Sequence, residues 1–125
     1  MPLKLLKHKL KSLRNSSHDR QLLNPRIKLY QKSANQGDAE AQFNLGLTYR
    51  DGQEVLQDNK MAAKWYQKAA EQGHITSQFS LGLLYQDGKG VRQNKTNAKE
   101  WYGRACDGGL QLGCDSYREL NEQGY

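Results

Sequence analysis

No run of apolar residues in this 125-residue chain approaches the roughly 20 needed to span a bilayer, so no segment reads as a membrane helix. The basic opening stretch Met1–Lys11 resembles the start of an export signal. It lacks the unbroken apolar stretch that must follow, because its longest leucine run is Leu5-Leu6. On that ground the expected compartment is the cytoplasm. Proline is scarce, with two residues, which leaves helices uninterrupted, and twelve glycines supply the breaks between them. The two cysteines are too few for a disulfide framework. They are also too few for a structural zinc site, and His8, His18 and His74 are scattered along the chain.

Catalytic motifs are missing as well. No serine has lysine three residues on, and Lys95-Thr96-Asn97 lacks the glycine of a Lys-Thr-Gly element. There is no phosphate-cradling glycine loop and no His-Glu-x-x-His. The acids are spread singly. The sequence therefore reads as a non-enzyme with no cofactor and no metal.

Charge is unevenly placed. Residues 1–20 hold six of the 19 Lys and Arg and one of the 13 Asp and Glu, while the rest carries 13 against 12. The net charge of +6 thus describes a tail on a nearly neutral body. A folded nucleic-acid-binding module carries its positive patch on the body, so no nucleic-acid partner is expected.

What is present is a repeat. Trp65-Tyr66 recurs as Trp101-Tyr102, 36 residues on. The same shift maps Gly37, Leu45-Gly46, Tyr49, Asp51-Gly52, Val55, Ala62 and Ala69 onto Gly73, Leu81-Gly82, Tyr85, Asp87-Gly88, Val91, Ala98 and Ala105. Residues 37–72 and 73–108 share 15 identities in 36 positions, far above chance. Tyr30 lies one period before Tyr66, so a half-repeat precedes, and another follows Gly109. The organisation read from this is a basic extension at 1–24, a half-repeat helix at 25–36, repeats at 37–72 and 73–108, and a capping half-repeat at 109–125.

Each repeat reads as two helices. The first, about 38–50, puts Ala41, Leu45, Gly46 and Tyr49 on one face and Phe43 and Leu47 opposite, as a helix packed on two sides requires. Glycine in mid-helix costs about 1 kcal/mol relative to alanine, so Gly46 and Gly82 point to close approach of a neighbouring helix. Asp51-Gly52 and Asp87-Gly88 stop the first helix, and Asp58 and Asn94 cap the second. The second helix, about 59–72, puts Met61, Ala62, Trp65, Tyr66 and Ala69 on one face. Asn24-Pro25 starts a helix running to Ala34. The last helix, about 111–122, departs from the pattern: Arg118 stands in the slot of Gly46 and Gly82, and Asn121 in that of Tyr49 and Tyr85. A polar last helix suits the end of a stack.

The string Ala41-x-x-x-Leu45-Gly46-x-x-Tyr49-x-x-Gly52, with Val55, Asp58, Ala62, Trp65-Tyr66, Lys68-Ala69-Ala70 and Gln72-Gly73, resembles the Sel1-like repeat, a relative of the tetratricopeptide repeat. The resemblance covers about 25–122. It implies an all-α fold, a short right-handed αα-superhelix of two full repeats flanked by half-repeats. It also implies a role as adaptor or scaffold for a protein or peptide partner. Two positions depart: Glu54 replaces the loop glycine present as Gly90, and Gly103 stands mid-helix in the slot of Gln67, predicting a weaker helix there.

The resemblance implies a concave side lined by the first helices. The wheel places Glu40, Asn44 and Thr48, with Thr76, Ser80 and Leu84 one period on, as the partner-binding candidates. Cys106 and Cys114 end one helix and begin the next. A cysteine-rich bacterial branch of the family bridges such a pair, whereas the reading from the residues alone leaves two packed thiols equally open. A bridge would move the protein to the periplasm or outside the cell, as an exported protein acting in the envelope or on a host. Some members of that branch carry a β-lactamase label, so a hydrolase is the third reading.

For residues 3–14, with Leu3, Leu6, Leu10 and Leu13 beside Lys4, Lys7, Lys11 and Arg14, three roles stay open. They are a cap on the first repeat helix, an unstructured leader, or weak contact with an anionic membrane surface or acidic partner. The oligomeric state is not legible.

Overall fold

The structure, a computed structural model, describes residues 24–125, and these form six helices joined by short loops with no strand among the described residues. The expected amphipathic segment at 3–14 lies outside the described residues. The helices are α1 (Pro25–Asn35), α2 (Ala39–Asp51), α3 (Asn59–Glu71), α4 (Ile75–Asp87), α5 (Lys95–Asp107) and α6 (Gln111–Glu122). Each packs chiefly on its neighbours in sequence, so the chain stacks as an all-α solenoid of helix pairs.

The helix ends follow from local chemistry. Asn24 accepts from the backbone N–H groups of Arg26 and Ile27 at 3.0 and 3.3 Å, with Pro25 in the first helical position where no donor is needed. Asp58 accepts from Lys60 and Met61 N–H, and Asn94 from Asn97 N–H. Gly52 and Gly88, both at φ 69°, take the left-handed turn that ends α2 and α4.

The core is a thin layer between the helices. Leu45, Ala62, Tyr66, Leu81, Ala98 and Tyr102 are all at most 1% exposed. The neighbouring helix approaches both mid-helix glycines, foremost through a ring and at Gly82 also through the Ala98 carbonyl oxygen, 3.3 Å from where a Cβ would stand. A Cβ on Gly46 would sit 2.4 Å from Tyr66 Cε1, and one on Gly82 would sit 2.6 Å from Tyr102 Cε1. The tyrosine of each second helix is seated on the glycine of its own first helix. Burial pushes the Tyr66 phenol up to about 12 and the Tyr102 phenol up further. Tyr102 donates to Gln86 Oε1, whereas the Tyr66 hydroxyl is buried with no hydrogen-bond partner. In α6 the glycine slot holds Arg118, whose side chain is 65% exposed, with no ring seated on it among the described residues.

Gly103 does not break α5, which runs unbroken from Lys95 to Asp107. A Cβ there would lie 3.2 Å from Tyr117 Cδ2, so the glycine makes room for a ring of α6. At Glu54 the backbone keeps the left-handed turn despite the side chain, at φ 64°. The two loops meet different neighbours. A Cβ on Gly90 would fall 2.1 Å from the Asn59 carbonyl oxygen, whereas Glu54 faces Asn24, whose side-chain amide donates to its carboxylate at 2.9 Å. Asn24 precedes Asp58 by 34 residues rather than 36, so α1 starts late and leaves space for a side chain at 54.

Gly90→Ala is therefore expected to lower stability by about 2–3 kcal/mol, through the positive φ and the carbonyl clash together. Glu54→Gly is expected to change it by less than about 1 kcal/mol. Urea denaturation followed by circular dichroism compares the two.

Candidate functional site on the open face of the first helices

Helices α2, α4 and α6 bury one side against α1, α3 and α5 and leave the other open. On α2 the buried residues Ala41, Gln42, Leu45, Gly46 and Tyr49 define the packed side. At 100° per residue the opposite side centres on Glu40 and Leu47, flanked by Asn44 and Asp51. One period on, the same rows hold Thr76, Leu83, Ser80 and Asp87, and in α6 Leu112, Glu119 and Ser116.

The six candidates separate on this face. Glu40 and Thr76 are exposed, and Asn44 and Ser80 are half-buried at its edge. Thr48 is half-buried, and its hydroxyl donates to the Asn44 carbonyl at 2.8 Å. Leu84 does not belong to the face: it is 6% exposed and sits in the core, bordering Gln57 and Asn59 at the start of α3. Position 48/84 points toward the preceding helix pair, and there an isoleucine-lined cleft (Ile27) meets Thr48 while a filled core meets Leu84. Leu83, 40% exposed, and Leu112, 58% exposed, are the apolar residues the face presents. Sequence reasoning assigned Leu47 to a packed second side, and Leu47 is indeed half-buried against the core. Its recurrence as Leu83 was the signal for a row crossing the repeats.

The joints between helix pairs repeat a contact that the sequence reading did not single out. Gln42 Nε2 donates to the Ala34 carbonyl at 3.0 Å, and Gln78 Nε2 donates to the Ala70 carbonyl at 3.2 Å, both buried. One further period brings these positions to Cys106 and Cys114. There the pair forms a disulfide across a Cα–Cα distance of 4.6 Å. A covalent bond thus stands at the third joint where side-chain hydrogen bonds stand at the first two. Gly113 permits the approach, since a Cβ on it would lie 2.8 Å from the Tyr102 carbonyl oxygen. Closing an eight-residue loop constrains the unfolded chain by on the order of 2.5 kcal/mol.

One cluster has the look of chemistry. His74 caps α4: its Nδ1 lies 3.2 Å from Ser77 N and 2.8 Å from Ser77 Oγ, while its Nε2 lies 2.9 Å from Glu40 Oε2. Accepting the Ser77 N–H requires a bare Nδ1, so the cap assigns the proton to Nε2, which donates to Glu40. A serine, a histidine and a carboxylate in line imitate a hydrolase triad. Ser77, however, is 0% exposed, so no substrate carbonyl reaches its hydroxyl. The cluster ties the start of α4 to the start of α2, with the Phe43 ring tilted by 31° against the imidazole at 4.9 Å between ring centres.

The Sel1 repeat family model matches residues 27–38, 39–74 and 75–110. This chain belongs to the Sel1 repeat family. Among solved structures, a Sel1 repeat protein from Oxalobacter formigenes is similar at 33% identity over 75% of this chain, with a TM-score of 0.73. The protein c5321, described as a protective antigen of uropathogenic Escherichia coli, is similar at 26% identity over the whole chain, with a TM-score of 0.69. This chain spans 27% and 34% of those two chains. Cysteine-rich protein B of Helicobacter pylori shares the fold at 24% identity and a TM-score of 0.68, over 90% of this chain and 94% of that one. No curated protein matches. Sel1 repeats form helical solenoids that generally serve as protein–protein interaction modules. Among the described residues no helix is long and apolar enough to cross a membrane.

Proposed function

We propose that this Sel1 repeat protein is a non-catalytic adaptor that holds a protein or peptide partner along the concave face formed by α2, α4 and α6. The observation that carries this reading is the unpartnered face itself. Exposed Leu83 and Leu112 offer apolar contact, and Asn44, Thr76 and Ser80 offer hydrogen bonds beside them. Neither structural packing nor capping accounts for two leucines left in water on adjacent rows of the same face. A partner held here is recognised by side-chain hydrogen bonds and shape rather than by added strands.

A second reading is favoured by the Cys106–Cys114 bridge: an exported protein acting in the envelope or on a host. Disulfides persist in oxidising compartments and are reduced in the cytosol. The hydrolase reading has no support at its one suggestive cluster, because Ser77 is sealed.

Replacing Asn44 and Ser80 together by arginine is expected to abolish capture of the partner while leaving helicity unchanged. Unchanged affinity, read by pull-down and circular dichroism, would overturn the groove reading. For the compartment, alkylation and intact mass on protein recovered from its host without reductant is expected to find no free thiol if the second reading holds. Two alkylated cysteines would return the protein to the cytosol.

A further inference from the structure

The two sets of helices carry opposite charge. Helices α1, α3 and α5 hold nine Lys and Arg against three Asp and Glu. Helices α2, α4 and α6 hold two against six, and both cations are paired, Arg50 with Asp51 at 2.9 Å and Arg118 with Asp115 at 3.9 Å. The open face therefore carries Asp87 and Glu119 around exposed Leu83 and Leu112, beside Glu40, which is held by His74 Nε2 at 2.9 Å, and Asp51, which is held by Arg50. An acidic surface with apolar patches selects a basic segment bearing apolar side chains.

Such a segment is part of the same chain. Residues 1–20 hold six basic residues against one acid, with leucines at 3, 5, 6, 10 and 13. We propose that this segment occupies the open face of α2, α4 and α6 in its own chain, as an internal ligand that a partner must displace. The inference rests on the concave-face reading and adds the chemistry of its ligand.

Charge argues against the other place the segment could cover. The outward side of α1 carries Arg26, Lys28 and Lys32 around Leu29, 63% exposed, with no acid on the helix. A basic segment is repelled there. Reach is not limiting. Residue 24 is anchored beside Glu54, in the loop that follows α2. Ten residues, 15–24, extend to roughly 33 Å at about 3.3 Å each, enough to bring the leucines onto helices spaced 8–10 Å apart. Each exposed ion pair is weak, but tethering raises the effective concentration of the segment to the order of 1 mM. Partners of the groove would then share its chemistry, a basic stretch with spaced leucines.

Zero-length carbodiimide cross-linking of the full chain, read by peptide mass spectrometry, tests this. Lys4, Lys7, Lys9 and Lys11 are expected to join Glu40, Asp51, Asp87 or Glu119 at yields at least fivefold above those to Glu71 and Glu100. The yield is expected to fall severalfold in the exposed-residue variant D87K/E119K and in 0.5 M salt. No cross-links, equal yields to both sets of acids, or cross-links only between differently isotope-labelled chains would each overturn the proposal. Any of these would leave the groove reading standing on the Asn44 and Ser80 variants.

Discussion

The seat of a tyrosine ring on a glycine holds each Sel1 repeat together. Tyr66 lies where any Cβ on Gly46 would stand, and Tyr102 does the same over Gly82. The contact sets how closely the two helices of a repeat approach, and the buried alanines at 62, 69, 98 and 105 complete the fit. Glycine in mid-helix is unfavourable by about 1 kcal/mol. Complete burial of an aromatic ring exceeds that cost by a factor of two or more. The open face exists because this packing consumes one side of each first helix and leaves the other free.

Between repeats a second contact takes over. The buried glutamines at 42 and 78 reach back to the carbonyls of Ala34 and Ala70, and at the third joint Cys114 is bonded to Cys106. The joints differ in what surrounds them. At the first two the glutamine is buried, 4% exposed at Gln42 and 7% at Gln78. The third holds α6, which packs on α5 with no tyrosine seated on it. A covalent bond is suited to the joint with the least burial to support it. His74 adds a further tie, coupling the cap of α4 to Glu40 of the previous repeat.

The period was legible because it is written in large and special residues. Trp-Tyr pairs, Asp-Gly stops and Asn or Asp caps each have one structural meaning, and the six helices fall within a residue or two of the boundaries they imply. What was less legible were positions whose meaning depends on the partner across the interface. Gly103 reads as a helix breaker until Tyr117 is seen against it. Leu84 sits one helical step from the open face, and a wheel cannot say where the preceding helix pair ends. Gln42 and Gln78 look like surface residues in a sequence, because glutamine is ordinarily exposed. Only their common 36-residue spacing with Cys114 marks them as joints.

The division of charge between the two helix sets follows the same architecture. The second helices carry cations over their tryptophans, with Lys68 Nζ 4.9 Å from the Trp65 ring centre and the Arg104 guanidinium 4.5 Å from that of Trp101. The first helices keep their acids on the side left open. The claim beneath all of this is that ring and glycine act as one unit, and a double-mutant cycle on Gly82→Ala and Tyr102→Leu measures it directly. Gly82→Ala is expected to cost about 2–3 kcal/mol with Tyr102 present and less than half of that with leucine in its place. Costs that simply add, with no coupling between the two sites, would contradict the account.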